Sequence, residues 1–303
     1  MTLLLTGVDG QLGFELERAL APLGEVRPST LSGRTVGGRA CLPLDLTDTS
    51  ALEAGLDRLR PRIVVNPAAY TAVDRSETEP ELAQRINADA PAALARWCAR
   101  HDALLVHYST DYVFGGESER PWREDDPTGP LGVYGATKLA GEEAIRSAGC
   151  RHLILRTAWV YSARFANFLR TMLRVGAERD HLKVVVDQRG TPTTARGLAE
   201  VTAQLLGRHG GAAAPSLGTL HLTHDGETSW HGFAEAIFAR AREAGLIARV
   251  PVIEAIPSSA YPTPARRPAY SVLDCSRIRT QHGICLPDWQ VGLGQVIDEL
   301  VGG

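Results

Sequence analysis

"TLLLTGVDGQLGFELERALAPLG" (residues 2–24) is the stretch on which the fold turns. It opens as a short apolar run closed by Gly7, suited to a strand covered on both faces. From residue 11 the spacing becomes helical, with Leu12, Leu16, Ala19 and Leu20 on one stripe. Gly7, Gly10 and Gly13 lie where the two patterns meet. Gly7 permits a tight turn, Gly10 lets the backbone approach a pyrophosphate, and Gly13 lets the helix pack closely on the sheet. The helix N-terminus then turns free N–H groups and the positive end of its dipole toward the phosphates. The spacing is G-x-x-G-x-x-G rather than G-x-G-x-x-G; its weight comes from the strand before and the helix after.

The same rhythm continues outward. "ACLPLD" (40–45) leads into "TSALEAGLDRLRP" (49–61), and "RIVVNPA" (62–68) into a helical region at 79–101. "ALLVHYST" (103–110) precedes a helix around 134–148, and "HLILRT" (152–157) closes the series. Strands of four to six residues separated by helices imply parallel pairing through right-handed crossovers. The fold class expected is α/β, a doubly wound parallel sheet with a smaller α/β substrate-binding lobe. Residues 1–158 form the dinucleotide-binding domain, with parts of 180–225 returning to it, and 159–303 are mainly the lobe. Helices are expected near 166–178, 195–207, 229–244 and 291–301. "HGGAAAPSLG" (209–218) and the proline-rich "IPSSAYPTPARRP" (256–268) separate them.

The 303 residues are 44% hydrophobic and 22% charged, ordinary usage for a soluble domain. A formal charge of −3 gives no reason to expect nucleic acid or an anionic membrane as partner. No apolar run approaches a membrane span, and the apolar start is too short for a signal-peptide core, so a cytoplasmic location is expected. Cys41, Cys98, Cys150, Cys275 and Cys285 are scattered without a C-x-x-C pair, as expected of free thiols in a reducing compartment. His221, His224 and His231 lack metal-ligand spacing, so no metal site is expected.

The chain carries 30 arginines and only two lysines, a bias that points to a GC-rich coding background. One of the two, Lys138 in "VYGATKLAG" (133–141), stands four residues after Tyr134. It is either an ordinary helix lysine or a position that needs a compact ammonium rather than a planar fork. Positions i and i+4 share a helix face. An ammonium beside the tyrosine, with an oxidised nicotinamide, favours phenolate and moves the pKa from about 10 toward neutrality. Thr110, just past a strand end, is placed to hydrogen-bond the same substrate oxygen. A hydroxyl, a phenol and an ammonium beside a nicotinamide make a carbonyl-reduction site. After the second strand, "RPSTLSGR" (27–34) has no acid for a ribose 2′-hydroxyl. Its hydroxyls and Arg34 suit a 2′-phosphate, or else form a polar loop that touches nothing. NADPH is therefore expected, with NADH still open.

"TGxxGxxG", "NPAAYTAVD", "STDYVF", "YGxTKLAGE", "RTAWVY" and "YPTPARRPAYSVLD" together resemble the dTDP-4-dehydrorhamnose reductase family of extended short-chain dehydrogenases/reductases. The resemblance runs from residue 3 to about 299. It implies Tyr134 as proton donor, Lys138 as its pKa modulator and ribose ligand, Thr110 as the hydroxyl that polarises the sugar carbonyl, and Asp111 as a substrate contact. It implies that Gly10, Gln11, Leu12 and Gly13 line the pyrophosphate, that Asp45 and Leu46 flank the adenine, and that Ala68, Ala69, Tyr70 and Thr71 border the cofactor. Trp159 resembles the family's sugar-contacting tryptophan, its alternative being a core aromatic. Arg267 meets the nucleotide diphosphate or is a surface arginine. Some members bridge a homodimer with magnesium on acidic side chains. Glu15 and Glu299 are present here, but position 196 is Arg where such members have Glu, and a guanidinium cannot ligate a cation.

The implied activity is NADPH-dependent reduction of the C4 ketone of a dTDP-4-keto-6-deoxyhexose, dTDP-4-dehydro-L-rhamnose giving dTDP-L-rhamnose. Three alternatives stay open. One is a 4-ketoreductase for another deoxysugar of antibiotic biosynthesis, such as dihydrostreptose. The second is a catalytically silent regulatory subunit of the same fold. The third is a nucleotide-sugar epimerase or dehydratase that recycles its cofactor.

Overall fold

A computed structural model of the chain describes residues 1–208 and 217–302, so most of the 209–218 separator lies outside the described residues. The first half alternates strand and helix. β1 (Thr2–Leu5), α1 (Gln11–Leu20), β2 (Glu25–Thr30), β3 (Leu42–Pro43), α2 (Thr49–Leu59) and β4 (Ile63–Asn66) come first. Two short helices, α3 (Val73–Ser76) and α4 (Pro80–Gln84), lead to α5 (Ala90–His101), β5 (Leu104–Thr110), α6 (Val133–Ser147) and β6 (Arg151–Thr157). Beyond these come β7 (Val160–Tyr161), α7 (Phe168–Glu178), β8 (His181–Val185), β9 (Arg189–Gly190), β10 (Thr193–Thr194) and α8 (Ala195–Arg208). The chain ends with β11 (Gly218–His221), β12 (Thr228–Ser229), α9 (Trp230–Glu243), β13 (Val252–Ile256), α10 (Ser276–His282) and α11 (Trp289–Gly302).

Among the described residues seven strands form one parallel sheet in the order β11-β6-β5-β4-β1-β2-β3. The chain leaves β1 toward β2 and β3, then returns to lay β4 on β1's other side. That reversal opens a crevice beyond the C-terminal ends of β1 and β4, where open α/β sheets bind ligands. The strands alternate their side chains between two cores. Leu3, Leu5, Val65 and Val106 face Leu16, Leu20, Leu198 and Leu205 of α1 and α8. Leu4, Val64 and Leu105 face Leu52, Leu56, Leu94 and Ile145 of α2, α5 and α6. All are essentially inaccessible, and burial of each such side chain is worth about 1.5–3 kcal/mol.

The lobe has its own core. Tyr161, Leu169, Phe233, Trp289 and Leu293 pack α7, α9 and α11 together, while the parallel pair β8–β13 covers Phe238. Among the described residues no helix is long and apolar enough to cross a membrane.

Candidate active site

The glycine loop has two positions dictated by the fold and one that is not. Gly7 sits at φ +56°, and a Cβ there would also press on Ala68. A Cβ on Gly13 would lie 2.1 Å from the Gly7 carbonyl oxygen, so only glycine lets α1 start so close to the loop. Gly10 has an ordinary extended φ, and its Cβ would make only a 3.4 Å contact. Its bareness serves whatever enters the cavity in front of it.

That cavity, about 420 Å³, lies at the sheet's reversal point. Gly7, Gly10, Gln11, Leu12 and Gly13 form one wall, and Ala68, Ala69 and Thr71 beyond β4 a second. Tyr134 and Lys138 from α6 complete it. Gln11 ties the wall to the lobe: its carboxamide oxygen accepts from Ser162 Oγ (3.0 Å) and Asn167 Nδ2 (2.9 Å). Asp9, Ser109 and Thr157, not foreseen from the sequence, also line the cavity, and Thr157 Oγ1 is buried with no partner among the described residues. A bare-backbone loop at a helix N-terminus, small residues opposite and a waiting hydroxyl fit a dinucleotide. A second cavity of about 350 Å³ beside α10 contains His224, Cys275 and Arg279 but no tyrosine–lysine pair.

Lys138 is fully buried, and Tyr134 is partly buried. Tyr134 is pushed up to about 12 by that burial, against the opposing Thr110 hydroxyl. Lys138 directs its ammonium elsewhere, and the lowering expected of Tyr134 depends also on an oxidised nicotinamide. Lys138 Nζ donates to the Tyr108 carbonyl at 2.6 Å and lies 3.2 Å from His107 Nε2. Burial brings Lys138 down to about 8, opposed by the charge of Glu142 one turn on. Glu142 is itself held by Arg156 in two hydrogen bonds of 2.9 and 2.6 Å. Gly135 is explained by contact: a Cβ there would stand 2.2 Å from the Tyr112 carbonyl oxygen.

Thr110 is the last residue of β5 rather than a residue past its end. Its hydroxyl donates to Asp111 Oδ1 (3.0 Å) and accepts from the Tyr112 amide (3.1 Å). Burial pushes Asp111 up to about 6, with the Ser271 and Thr110 hydroxyls opposing. The Tyr112 ring meets Tyr134 edge-on at 5.6 Å.

Other expected site residues lie away from the cavity wall. Tyr70 turns its hydroxyl to Glu79 (2.5 Å), while Asn87 holds its backbone amide and carbonyl. Arg34 Nη1 donates to the Gly38 carbonyl (3.1 Å) in the loop after β2. Asp45 accepts from the amide and hydroxyl of Thr47 (2.8 and 2.7 Å), and Leu46 packs against the α2–α5 core. Trp159 stacks on Trp230 with ring centroids 3.6 Å apart. Arg267 is paired with Asp74 at 2.9 Å.

The acidic pair named for magnesium is closed by arginines. Arg196 reaches Glu299 at 2.6 Å and Glu15 at 3.7 Å, while Arg164 pairs with Glu299 and approaches Glu15 at 3.9 Å. Two carboxylates and two guanidiniums already balance, so these residues do not fit a cation. Among the described residues no group of three or more His, Cys, Asp or Glu is arranged to hold a metal.

The family model described as the RmlD substrate binding domain matches residues 1–301. The dTDP-4-dehydrorhamnose reductase of Burkholderia thailandensis is 45% identical over 306 residues, covering 99% of each chain. That of Escherichia coli (strain K12) is 43% identical over 300 residues, 99% of this chain and 98% of that one. The crystal structure of dTDP-4-dehydrorhamnose reductase from Bacillus anthracis str. Ames in complex with NADP is similar at TM-score 0.87 and 32% identity, covering 98% of this chain and 99% of that one. With a reductase-type cavity and full-length relatives on both counts, the chain belongs to the dTDP-4-dehydrorhamnose reductase family.

Proposed function

We propose that this protein reduces the C4 ketone of dTDP-4-dehydro-L-rhamnose with NADPH, giving dTDP-L-rhamnose, in the cytoplasm. The convergence of Tyr134, Lys138 and the Gly7–Gly13 loop on one cavity, in a chain with reductase relatives over its full length, carries the proposal. Five free cysteines suit the reducing compartment. A homodimer, if formed, needs a contact other than a metal bridge, because Arg196 occupies that position.

NADPH, when bound, supplies the hydride. The chain's own part is the proton and its placement. Tyr134 is a phenol at neutral pH, since burial raises it to about 12, and it holds the proton destined for the C4 oxygen. Thr110, turning its one hydroxyl proton away from Asp111, offers the same oxygen a second hydrogen bond as charge develops there. Lys138, one helical turn away, carries the positive charge that steadies the phenolate left behind. Two of its three N–H groups face Tyr108 and His107, and the third is free for a ribose hydroxyl.

The remaining assignments rest on the family pattern. Trp159 supplies an apolar wall for the deoxygenated face of the sugar, and Asp111 a polar contact. Arg267 exchanges Asp74 for the nucleotide diphosphate. Arg34 turns from Gly38 to the 2′-phosphate, Asp45 and Leu46 flank the adenine, and Tyr70 contributes backbone. The test couples the enzyme to a 4,6-dehydratase and a 3,5-epimerase acting on dTDP-glucose, follows NADPH absorbance and identifies the product by NMR. Stoichiometric NADPH consumption with dTDP-L-rhamnose formed is expected. A different product reassigns the sugar, and no consumption on any such sugar removes the reductase function.

A further inference from the structure

β4 and β5 are paired in register, with Asn66 opposite His107. At these strand ends a buried hydrogen-bonded chain crosses the sheet. Thr6 Oγ1 donates to Asn66 Oδ1 at 2.6 Å, Asn66 Nδ2 lies 3.1 Å from His107 Nδ1, and His107 Nε2 lies 3.2 Å from Lys138 Nζ. Thr6, Asn66, His107 and Lys138 are each at most 2% exposed. A four-residue polar line through an apolar sheet is expensive unless every member is partnered. It ends on the one buried lysine.

We propose that His107 is the positioning residue of Lys138, its Nε2 accepting an ammonium N–H so that the lysine stays charged and aimed at the cavity. The role rests on the reductase function above, since it serves the same lysine. An ammonium has only donors, so Nε2 must be the acceptor and the ring proton belongs on Nδ1. The Asn66 carboxamide follows by a half-turn that presents its oxygen to Nδ1–H. The Thr6 hydroxyl, able to donate or accept, suits either end of the amide. His107 cannot compete for the charge: burial, then the lysine's own charge, hold the imidazole well below its ordinary range. The other groups facing Lys138 are few. Tyr134 and Glu142 come from its own helix, Arg156 of β6 acts through Glu142, and Asp111 of the turn after β5 acts on Tyr134. Without His107, the Tyr108 carbonyl is the single acceptor left to the ammonium among the described residues.

The two lysines make the test direct. Lys183 is an exposed strand residue, so protein labelled with ¹³C at lysine Cε gives two signals, assigned with Lys183→Arg. His107→Asn keeps a polar group near Asn66 but places nothing at the Nε2 position. His107→Gln reaches that position. We expect the Lys138 titration midpoint to fall by about one pH unit in His107→Asn, a tenfold change in the ammonium–amine equilibrium, and to return close to the parent's in His107→Gln. The alkaline limb of kcat moves with it, while KM for the sugar changes little. Asn66→Leu, which leaves the imidazole but frees its Nδ1, is the milder variant and lowers the same midpoint by less. A Lys138 midpoint unchanged in His107→Asn, or in Asn66→Leu if the first does not fold, overturns the proposal. The titration needs no turnover: a parent inactive on keto sugars whose midpoint still responds removes the function and leaves the positioning role standing.

Discussion

In the proposed reaction Tyr134 is the proton donor, and burial keeps it loaded. At about 12 it remains a phenol across the working range, while Lys138, at about 8, is the group whose charge changes within it. Tyr134→Phe is expected to lower kcat by about 10²–10⁴-fold, the usual worth of a general acid. NADPH affinity, read by fluorescence, should stay within about threefold, because one hydroxyl is removed. For the parent, kcat should be level below the Lys138 value and fall as pH rises through about 8, where the ammonium loses its proton. Kinetics from pH 6 to 9.5 check this, and an alkaline limb that stays flat refutes it. The tyrosine–lysine pair was legible because lysine is so rare in this chain and the i, i+4 spacing puts both on one face. Its environment was not. His107 and Asn66 stand 41 residues apart and meet only through strand register, and Tyr108 contributes a carbonyl, which no residue type announces.

At the level of elements, periodicity found what was long. The helices expected near 166–178, 195–207, 229–244 and 291–301 are α7, α8, α9 and α11, with ends displaced by two residues or fewer. β13 escaped because most of its residues are not buried, and α10 because seven residues hold barely two turns. β11 escaped too, four residues that become a strand only by lying on β6, yet its last residue sets a measurable property. His221 donates Nδ1–H to the Trp122 carbonyl at 3.0 Å, and its Nε2 is buried without a partner among the described residues. Burial, then the Arg156 guanidinium, hold it down to about 3. The folded value lies below the unfolded 6.5, so the unfolded chain takes up a proton the folded one refuses. Stability is therefore lost as pH falls from 6.5 toward 3, by at most about 1.4 kcal/mol per pH unit for one such group. Urea denaturation at pH 7 and 5 should show a shallower loss in His221→Gln than in the parent. His107 and His224, also shifted downward, keep a residual slope of the same sign. Equal slopes in parent and variant would assign the acid sensitivity elsewhere.

Across the whole molecule, the sheet and the lobe are joined by charge as well as by packing. Glu15 comes from α1, Arg196 from α8, Arg164 from the segment after β7 and Glu299 from α11. The sequence disclosed the mismatch at position 196, but not Arg164, whose place follows from the fold of the 160–167 segment around Gln11. Burial raises Glu15, and Arg196 is the largest influence opposing that. Arg196→Glu removes this opposition and adds a third carboxylate. The expected loss at pH 7 is about 1–3 kcal/mol, below the figure for a fully buried pair because Arg196 is 43% exposed. The penalty comes from ionised carboxylates, so it should shrink as pH falls toward 5 and Glu15, whose value is raised, takes up its proton. In the parent the guanidiniums already neutralise the cluster, and EDTA should leave Tm, activity and oligomeric state unchanged. Added Mg2+ should stabilise Arg196→Glu while leaving the parent unmoved, since only the variant offers three carboxylates and a charge deficit. Thermal unfolding of both proteins at pH 7 and 5, with EDTA and with Mg2+, decides it. A parent whose Tm drops in EDTA would mean that a cation is held despite the arginines, and the arginines would then have to leave Glu15 and Glu299 to make room for it.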